Sequence, residues 1–173
     1  MKVKITLREL IQIAMLIALA FVLERLTPII NLPTLRITLT FIPMMFCGML
    51  FGPLWGGLAF GAADILGWPI MGLTPNPLIL FARILAGVIY GLLLHREKPK
   101  IFPHAVLNSI ATQYLCAACL TTWGLSMMWG TPYLELLLSR LPQFGIYIIL
   151  EVAIFPVLLI LRNALQKANL INI

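Results

Sequence analysis

Long apolar runs alternate along this chain with short polar or proline-rich interruptions, and the period-two alternation of a half-buried strand is absent. Uninterrupted runs of this kind predict helices. The first covers about Leu7–Leu23 and closes at Glu24-Arg25. From Ile37 to Ala63 no residue is charged, and Phe51-Gly52-Pro53 interrupts the middle. That stretch exceeds one membrane crossing of ~20 residues and falls short of two. A Gly-Pro pair breaks helices and starts turns, so the pattern predicts a tight hairpin of two short glycine-rich helices, spans two and three. Spans four, five and six follow at about Leu78–Leu94, Ala105–Met128 and Gln143–Leu161.

The interruptions differ in kind. ERLTPIINLPTL (Glu24–Leu35) reads as an irregular loop, and HREKPK (His95–Lys100) is the clearest polar connector. GWPIMGLTPNP (Gly67–Pro77) is uncharged but holds three prolines and two glycines. It predicts a non-helical segment lying over the membrane surface or dipping toward a cavity. Glu135 to Arg140 reads as a short amphipathic stretch ahead of Pro142.

Composition narrows the class. Only 10% of the 173 residues are charged and 61% are hydrophobic, where a soluble domain carries roughly a quarter charged residues. The expectation is an all-α membrane protein, one six-helix integral domain over residues 1–173, since only helices or closed barrels satisfy the backbone in lipid. Lys2, Lys4 and Arg8 before an apolar run, with Ala18-Leu-Ala20 near its end, imitate a secretory leader. Further spans follow, and Glu24-Arg25 closes the run, so it reads as an uncleaved span.

The net charge of +6 raises nucleic acid as a partner, but the basic residues sit at span ends, where they set orientation instead. With both termini cytoplasmic, the inner ends carry Lys2, Lys4, Arg8, Arg96, Lys98, Lys100, Arg162 and Lys167, and the outer ends keep Arg25, Arg36 and Arg140. Eight against three obeys the positive-inside rule. The expected location is the plasma membrane, as a multi-pass protein with the lipid bilayer as its solvent.

Ionisable side chains within spans are costly and mark function or pairing. Asp64, Arg83 and Glu151 qualify. Asp64 and Arg83, on neighbouring helices, also suit a purely structural ion pair, whereas Glu151 has no basic partner in its own segment. The outer mouth gathers Arg36, Trp68, Asn76, Trp129 and Arg140 beside the proline-rich loop. Arginines with aromatics suit an anionic, aromatic small molecule, because the guanidinium fork grips a carboxylate bidentately. Glycines recur four apart at Gly48/Gly52, Gly57/Gly61 and Gly87/Gly91, as close internal packing requires. Ala14 and Ala18 lie in an otherwise bulky span and form a small-residue groove fit for a separate membrane protein.

Some chemistry is excluded. No GxxxxGK[ST] phosphate loop occurs, so the chain does not drive transport by its own ATPase. No metal-ligand spacing and no nucleophilic triad is present, and Cys116-x-x-Cys119 lies in an apolar span where packing explains it better than redox catalysis.

Size, span pattern, Ala14-x-x-x-Ala18, FIPMMFCGMLFGPLWGG followed by Asp64, and Arg83-ILAG-VIYGLLL together resemble the substrate-binding S components of energy-coupling factor (ECF) vitamin transporters. The resemblance covers nearly the whole chain. Arg36-ITLTFIP and Thr121–Gln143 look most like the folate-specific members, whereas LTPNPLILFAR at the start of span four is closer to S components for other vitamins. The resemblance implies a prokaryotic protein that captures a vitamin outside and reorients in the membrane to release it inside. It implies a coupling membrane subunit, met through Ala14 and Ala18, and two ATPase subunits that use ATP, with no cofactor in this chain. For folate, Asp64 is expected at the pterin, Arg36 and Arg83 at negative charge, and Trp68 and Trp123 as stacking platforms, with Glu151 and Asn76 also lining the site. An S component for another anionic vitamin such as pantothenate, or a polytopic membrane enzyme, stays open on the residues alone.

Overall fold

A capping box starts the first helix. Thr6 N–H and Oγ1 donate to Glu9 Oε2 at 2.7 and 2.8 Å, and Glu9 N–H returns to Thr6 Oγ1 at 3.4 Å. In the computed structural model, which describes residues 6–26, 30–31, 36–71, 74–95 and 101–167, helix α1 then runs over Leu7–Leu26. The side chains of residues 25, 26, 30, 31, 36, 70, 71, 101 and 102 fall outside this description.

The irregular loop expected after α1 contains one regular feature. Strand β1 (Ile30–Asn31) pairs antiparallel with β2 (Arg36–Ile37), Ile30 opposite Ile37 and Asn31 opposite Arg36. Every other regular element among the described residues is helical.

The uncharged stretch forms α2 (Phe41–Met71), broken by a non-helical Gly52 at φ 86°, ψ −176°. This positive φ suits glycine because an L side chain would clash there. The break reverses the chain rather than kinking it: a Cβ on Gly56 would stand 3.0 Å from the Cα of Gly48. Eight residues of continuous helix would separate those positions by about 12 Å. The hairpin is therefore real, with arms 41–51 and 53–71.

Helix α3 (Pro77–Leu94) begins where Asn76 Oδ1 accepts from Leu78 N–H at 2.9 Å and Ile79 N–H at 3.4 Å, with Pro77 at the first helical position. It runs antiparallel to the second hairpin arm. Backbone meets backbone, since a Cβ on Gly87 would overlap the Gly56 carbonyl and one on Gly91 would overlap Pro53. At the C-terminal end of α3, His95 Nδ1 lies 3.1 Å from the Met49 carbonyl oxygen, and the imidazole ring covers the Gly52 turn.

A third rod joins α4 (Ile101–Ala111), a π-helical stretch Thr112–Thr121 and α5 (Thr122–Trp129), ending at Gly130 with φ 67°. The wider π turn leaves carbonyls for side chains five residues on: Thr121 Oγ1 donates to Cys116 O at 3.0 Å and Thr122 Oγ1 to Ala117 O at 2.9 Å. Helix α6 (Tyr133–Lys167) continues through Pro142 and Pro156.

Two expectations need correcting here. The segment Gly67–Pro77 is not wholly irregular, because α2 carries on through Pro69 to Met71. Pro69 forfeits one backbone hydrogen bond, and the helix ends two residues beyond it. Likewise Glu135–Arg140 is the first part of α6 rather than a separate stretch before Pro142.

The core sits where α1, both hairpin arms, α3 and α6 meet, around Met44, Met45, Met49, Leu94 and Phe155. A smaller cluster of Ala82, Ala86 and Cys116 joins α3 to the π-helical stretch. Small side chains there bring the two elements close enough to wall a cavity. Among the described residues three helices are long and apolar enough to cross a membrane, Phe41–Pro69, Pro77–Leu94 and Tyr133–Lys167, the first of these being the folded hairpin.

Candidate functional site

A cavity of about 640 Å³ opens between the second hairpin arm, α3, the π-helical stretch and α6. Its size falls in the range of small-molecule sites, ~300–1,000 Å³.

Its floor is built around Glu151, which is 1% exposed. Tyr90 Oη donates to Glu151 Oε1 at 3.0 Å, and Gln113 Nε2 donates to the same oxygen at 2.9 Å. Among the described residues Oε2 accepts no hydrogen bond of good geometry, although the buried Ser109 and Thr112 hydroxyls also stand beside the carboxylate. A buried acceptor without a donor is costly, so this oxygen is set to receive donors from a guest. Three elements supply the floor, α3, the π-helical stretch and α6, and Phe60 of the second hairpin arm stacks on Tyr90 with centroids 5.6 Å apart.

The wall on the α6 side has a helical period. Arg140, Gln143, Tyr147 and Glu151 all face the cavity, three or four residues apart. Tyr147 Oη accepts from Thr38 N–H at 2.9 Å and donates to Thr38 O at 3.4 Å, which ties α6 to the approach into the hairpin. Arg140 Nη1 donates to Thr122 Oγ1 at 3.2 Å and Nε to Gln143 Oε1 at 3.5 Å.

Charges cluster at a third place. Arg83 lies between two acids, with Nη2 3.5 Å from Glu24 Oε1 and Nε 3.8 Å from Asp64 Oδ1. This group joins α1, the second hairpin arm and α3.

Most of the residues singled out by sequence converge here. Asp64, Arg83, Trp68, Asn76 and Glu151 all line the cavity. Asn76 does so with its amide committed to the fold, as the α3 cap and as donor to Gly124 O at 3.0 Å. Trp123 does not reach the cavity. It is 51% exposed, while its neighbour Thr122, at 0%, takes the inward position, and it lines a separate shallow depression with Cys119 and Tyr133. The Arg36 side chain lies outside the described residues. Ala14 and Ala18 are exposed on α1, away from the core that α1 builds with Ile13 and Ala20.

Sequence reasoning missed Gln113, Tyr90 and Tyr147, and passed over Arg140 as one of several mouth residues. For Tyr147 and Arg140 a signal existed, since both stand at helical spacing from Glu151. No such signal existed for Gln113, whose direction depends on the π turn.

Fold and site together define a helical membrane protein built to enclose one small molecule, with no phosphate loop or nucleophilic triad. Residues 8–159 match the family model "ECF transporter, substrate-specific component", and the chain belongs to that family. Its members are substrate-binding subunits of membrane transporters rather than enzymes. The chain is 28% identical over 149 residues to the folate transporter FolT of Clostridium novyi (strain NT), covering 86% of this chain and 81% of that one. It is similar to a crystal structure of FolT bound with folic acid, with TM-score 0.76, 27% identity and coverage of 86% and 90%. The fold is also that of the S component for biotin from an ECF-type transporter, at TM-score 0.65 and 22% identity over 88% and 93% of the two chains.

Proposed function

We propose that this protein binds folate at the outer face of a prokaryotic plasma membrane and delivers it inward as the substrate-specific subunit of an ATP-driven ECF importer. The observation that carries this reading is the cavity of about 640 Å³ with Glu151 at its floor, a buried carboxylate whose second oxygen accepts no well-formed hydrogen bond among the described residues. The pterin ring offers adjacent N–H donors in one plane, which is what such an oxygen accepts. Aromatic rings flank the path at Trp68, Trp129 and Tyr147, for the flat pterin and benzoate groups. Arginines supply the charge that the glutamate tail requires. The relation to FolT sequences and to the folic acid complex supports the same choice of vitamin.

In this reading the chain crosses the membrane six times, through α1, the two hairpin arms, α3, the α4-to-α5 rod and α6. Both termini face the cytoplasm. Ala14 and Ala18 meet a coupling membrane subunit, and two ATPase subunits hydrolyse ATP outside this chain. The cavity mouth, between the Glu24 end of α1 and Arg140, then faces outward.

The test is to purify the protein in detergent with no vitamin added, denature it and identify released small molecules by mass spectrometry. One folate per chain is expected, and the emptied protein should bind folate at least a hundredfold more tightly than pantothenate or biotin by calorimetry. Co-purified pantothenate, or equal affinity for all three, overturns the assignment.

A further inference from the structure

Resting on the reading of the cavity as a folate site, we infer that Arg140 receives the ligand's carboxylate, and that Arg83, the other cation lining the cavity among the described residues, is committed to the fold. The two arginines look equivalent in the sequence. Their surroundings are not.

Arg83 has two acidic neighbours, Glu24 and Asp64, from two different elements. Its charge is already matched, and a ligand carboxylate arriving there meets two carboxylates first. Arg140 is 7% exposed, yet each of its contacts is neutral: Thr122 Oγ1, Gln143 Oε1 and the Phe144 ring, whose centroid is 5.9 Å from the guanidinium carbon. Among the described residues no carboxylate pairs with it. Buried charges are ordinarily paired, because desolvation without a counter-ion is costly. Here the missing partner is the guest. Thr122 and Gln143 hold the guanidinium by two nitrogens and leave its remaining N–H groups for a carboxylate fork.

Position supports this as well. Arg140 and Glu151 are eleven residues apart on α6, about 16 Å along the axis and within about 20° of the same face. A cation therefore stands at one end of the cavity and a hydrogen-bond acceptor at the other. The complementary guest is elongated, donor-rich at the inner end and anionic at the outer end. A compact vitamin of single charge reaches one pole only. Folate lies along α6 with its pterin at Glu151 and its glutamate tail at Arg140. Arg83, Glu24 and Asp64 meanwhile hold α1 to the hairpin and α3.

The experiment compares wild type with Arg140→Gln, Arg140→Lys and Arg83→Gln, measuring affinity for folate and for 6-hydroxymethylpterin, which has no carboxylate, and the thermal midpoint of ligand-free protein. Arg140→Gln should lower folate affinity roughly 10- to 100-fold and change affinity for the uncharged pterin less than twofold. Arg140→Lys should restore part of the folate affinity. Removing a buried charge with no counter-ion should leave the ligand-free midpoint of Arg140→Gln at or above wild type. Arg83→Gln leaves Glu24 and Asp64 facing each other, so its midpoint should fall. Equal loss of both ligands in Arg140→Gln, or a selective loss of folate in Arg83→Gln, overturns the inference. If wild type binds folate and Arg140→Gln keeps full affinity, the inference fails alone. If wild type binds neither compound, the functional reading fails with it.

Discussion

Gly48 and Gly56 face each other across the hairpin so closely that a Cβ on Gly56 would stand 3.0 Å from the Cα of Gly48. No side chain fits between the arms at that level. The same layer continues into α3, where Gly87 meets the Gly56 carbonyl and Gly91 meets the Pro53 backbone. Three helical segments thus pack backbone to backbone, and the cavity wall carrying Arg83 and Tyr90 is placed by that contact.

Gly87→Ala should destabilise the protein, because the added methyl overlaps backbone atoms that no rotamer change can move. Overpacking of this kind costs about 1–3 kcal/mol, occasionally more. Gly145→Ala is the matched control: a Cβ there meets nothing within 4 Å, and the site is inside a helix. It should be neutral or stabilising by about 0.5–1 kcal/mol. Thermal unfolding in detergent, followed by light scattering, compares the two. Equal midpoints would mean the α2–α3 contact is looser than described.

Substitution of Glu151 by Gln keeps the shape of the cavity floor and removes the charge. Tyr90 and Gln113 both donate to Oε1, and a neutral amide cannot also present a second free acceptor oxygen. Folate affinity should fall roughly 10- to 100-fold, the worth of a charge-assisted hydrogen bond in a buried site. Unchanged affinity by calorimetry would exclude Glu151 from contact with the ligand.

The two tryptophans named from the sequence should separate. Trp68 lines the cavity, whereas Trp123 is half exposed on the far side of its helix. Trp68→Ala should weaken folate binding by up to about tenfold, corresponding to ~0.5–1.5 kcal/mol of ring contact. Trp123→Ala should change it less than twofold. Quenching of the intrinsic fluorescence on adding folate should survive loss of Trp123 and shrink on loss of Trp68.

Ala14 and Ala18 are exposed and contribute nothing to the cavity. Replacing both with Trp should leave folate affinity of the isolated protein unchanged and abolish vitamin uptake by cells carrying the full transporter. A parallel loss of binding and uptake would show that α1 is needed for the fold rather than for docking.

The helical class, the hairpin and its small-residue packing were legible from the chain because each rests on local chemistry. A stretch without charges longer than one span and shorter than two, split by Gly-Pro, leaves little but a reversal. The ends of helices were less legible, as α2 passing Pro69 and α6 passing Pro142 demonstrate. Proline disfavours helix locally, and in apolar surroundings the backbone hydrogen bonds kept by continuing the helix outweigh that preference.

The site divides in the same way. Sequence alone determined that Asp64, Arg83 and Glu151 needed partners, since the cost of an ionisable group in lipid depends only on where the apolar runs lie. Which partners they found was decided by tertiary structure. Arg83 is matched by Glu24, 59 residues before it in the chain, and Arg140 by neutral groups alone. The facing of Gln113 and Trp123 was likewise decided late, because a π turn rotates every following residue away from the position an α-helical period assigns. Charge and hydropathy act residue by residue and can be read from a string of letters; pairing and facing depend on distances between elements, which exist only after the helices have packed.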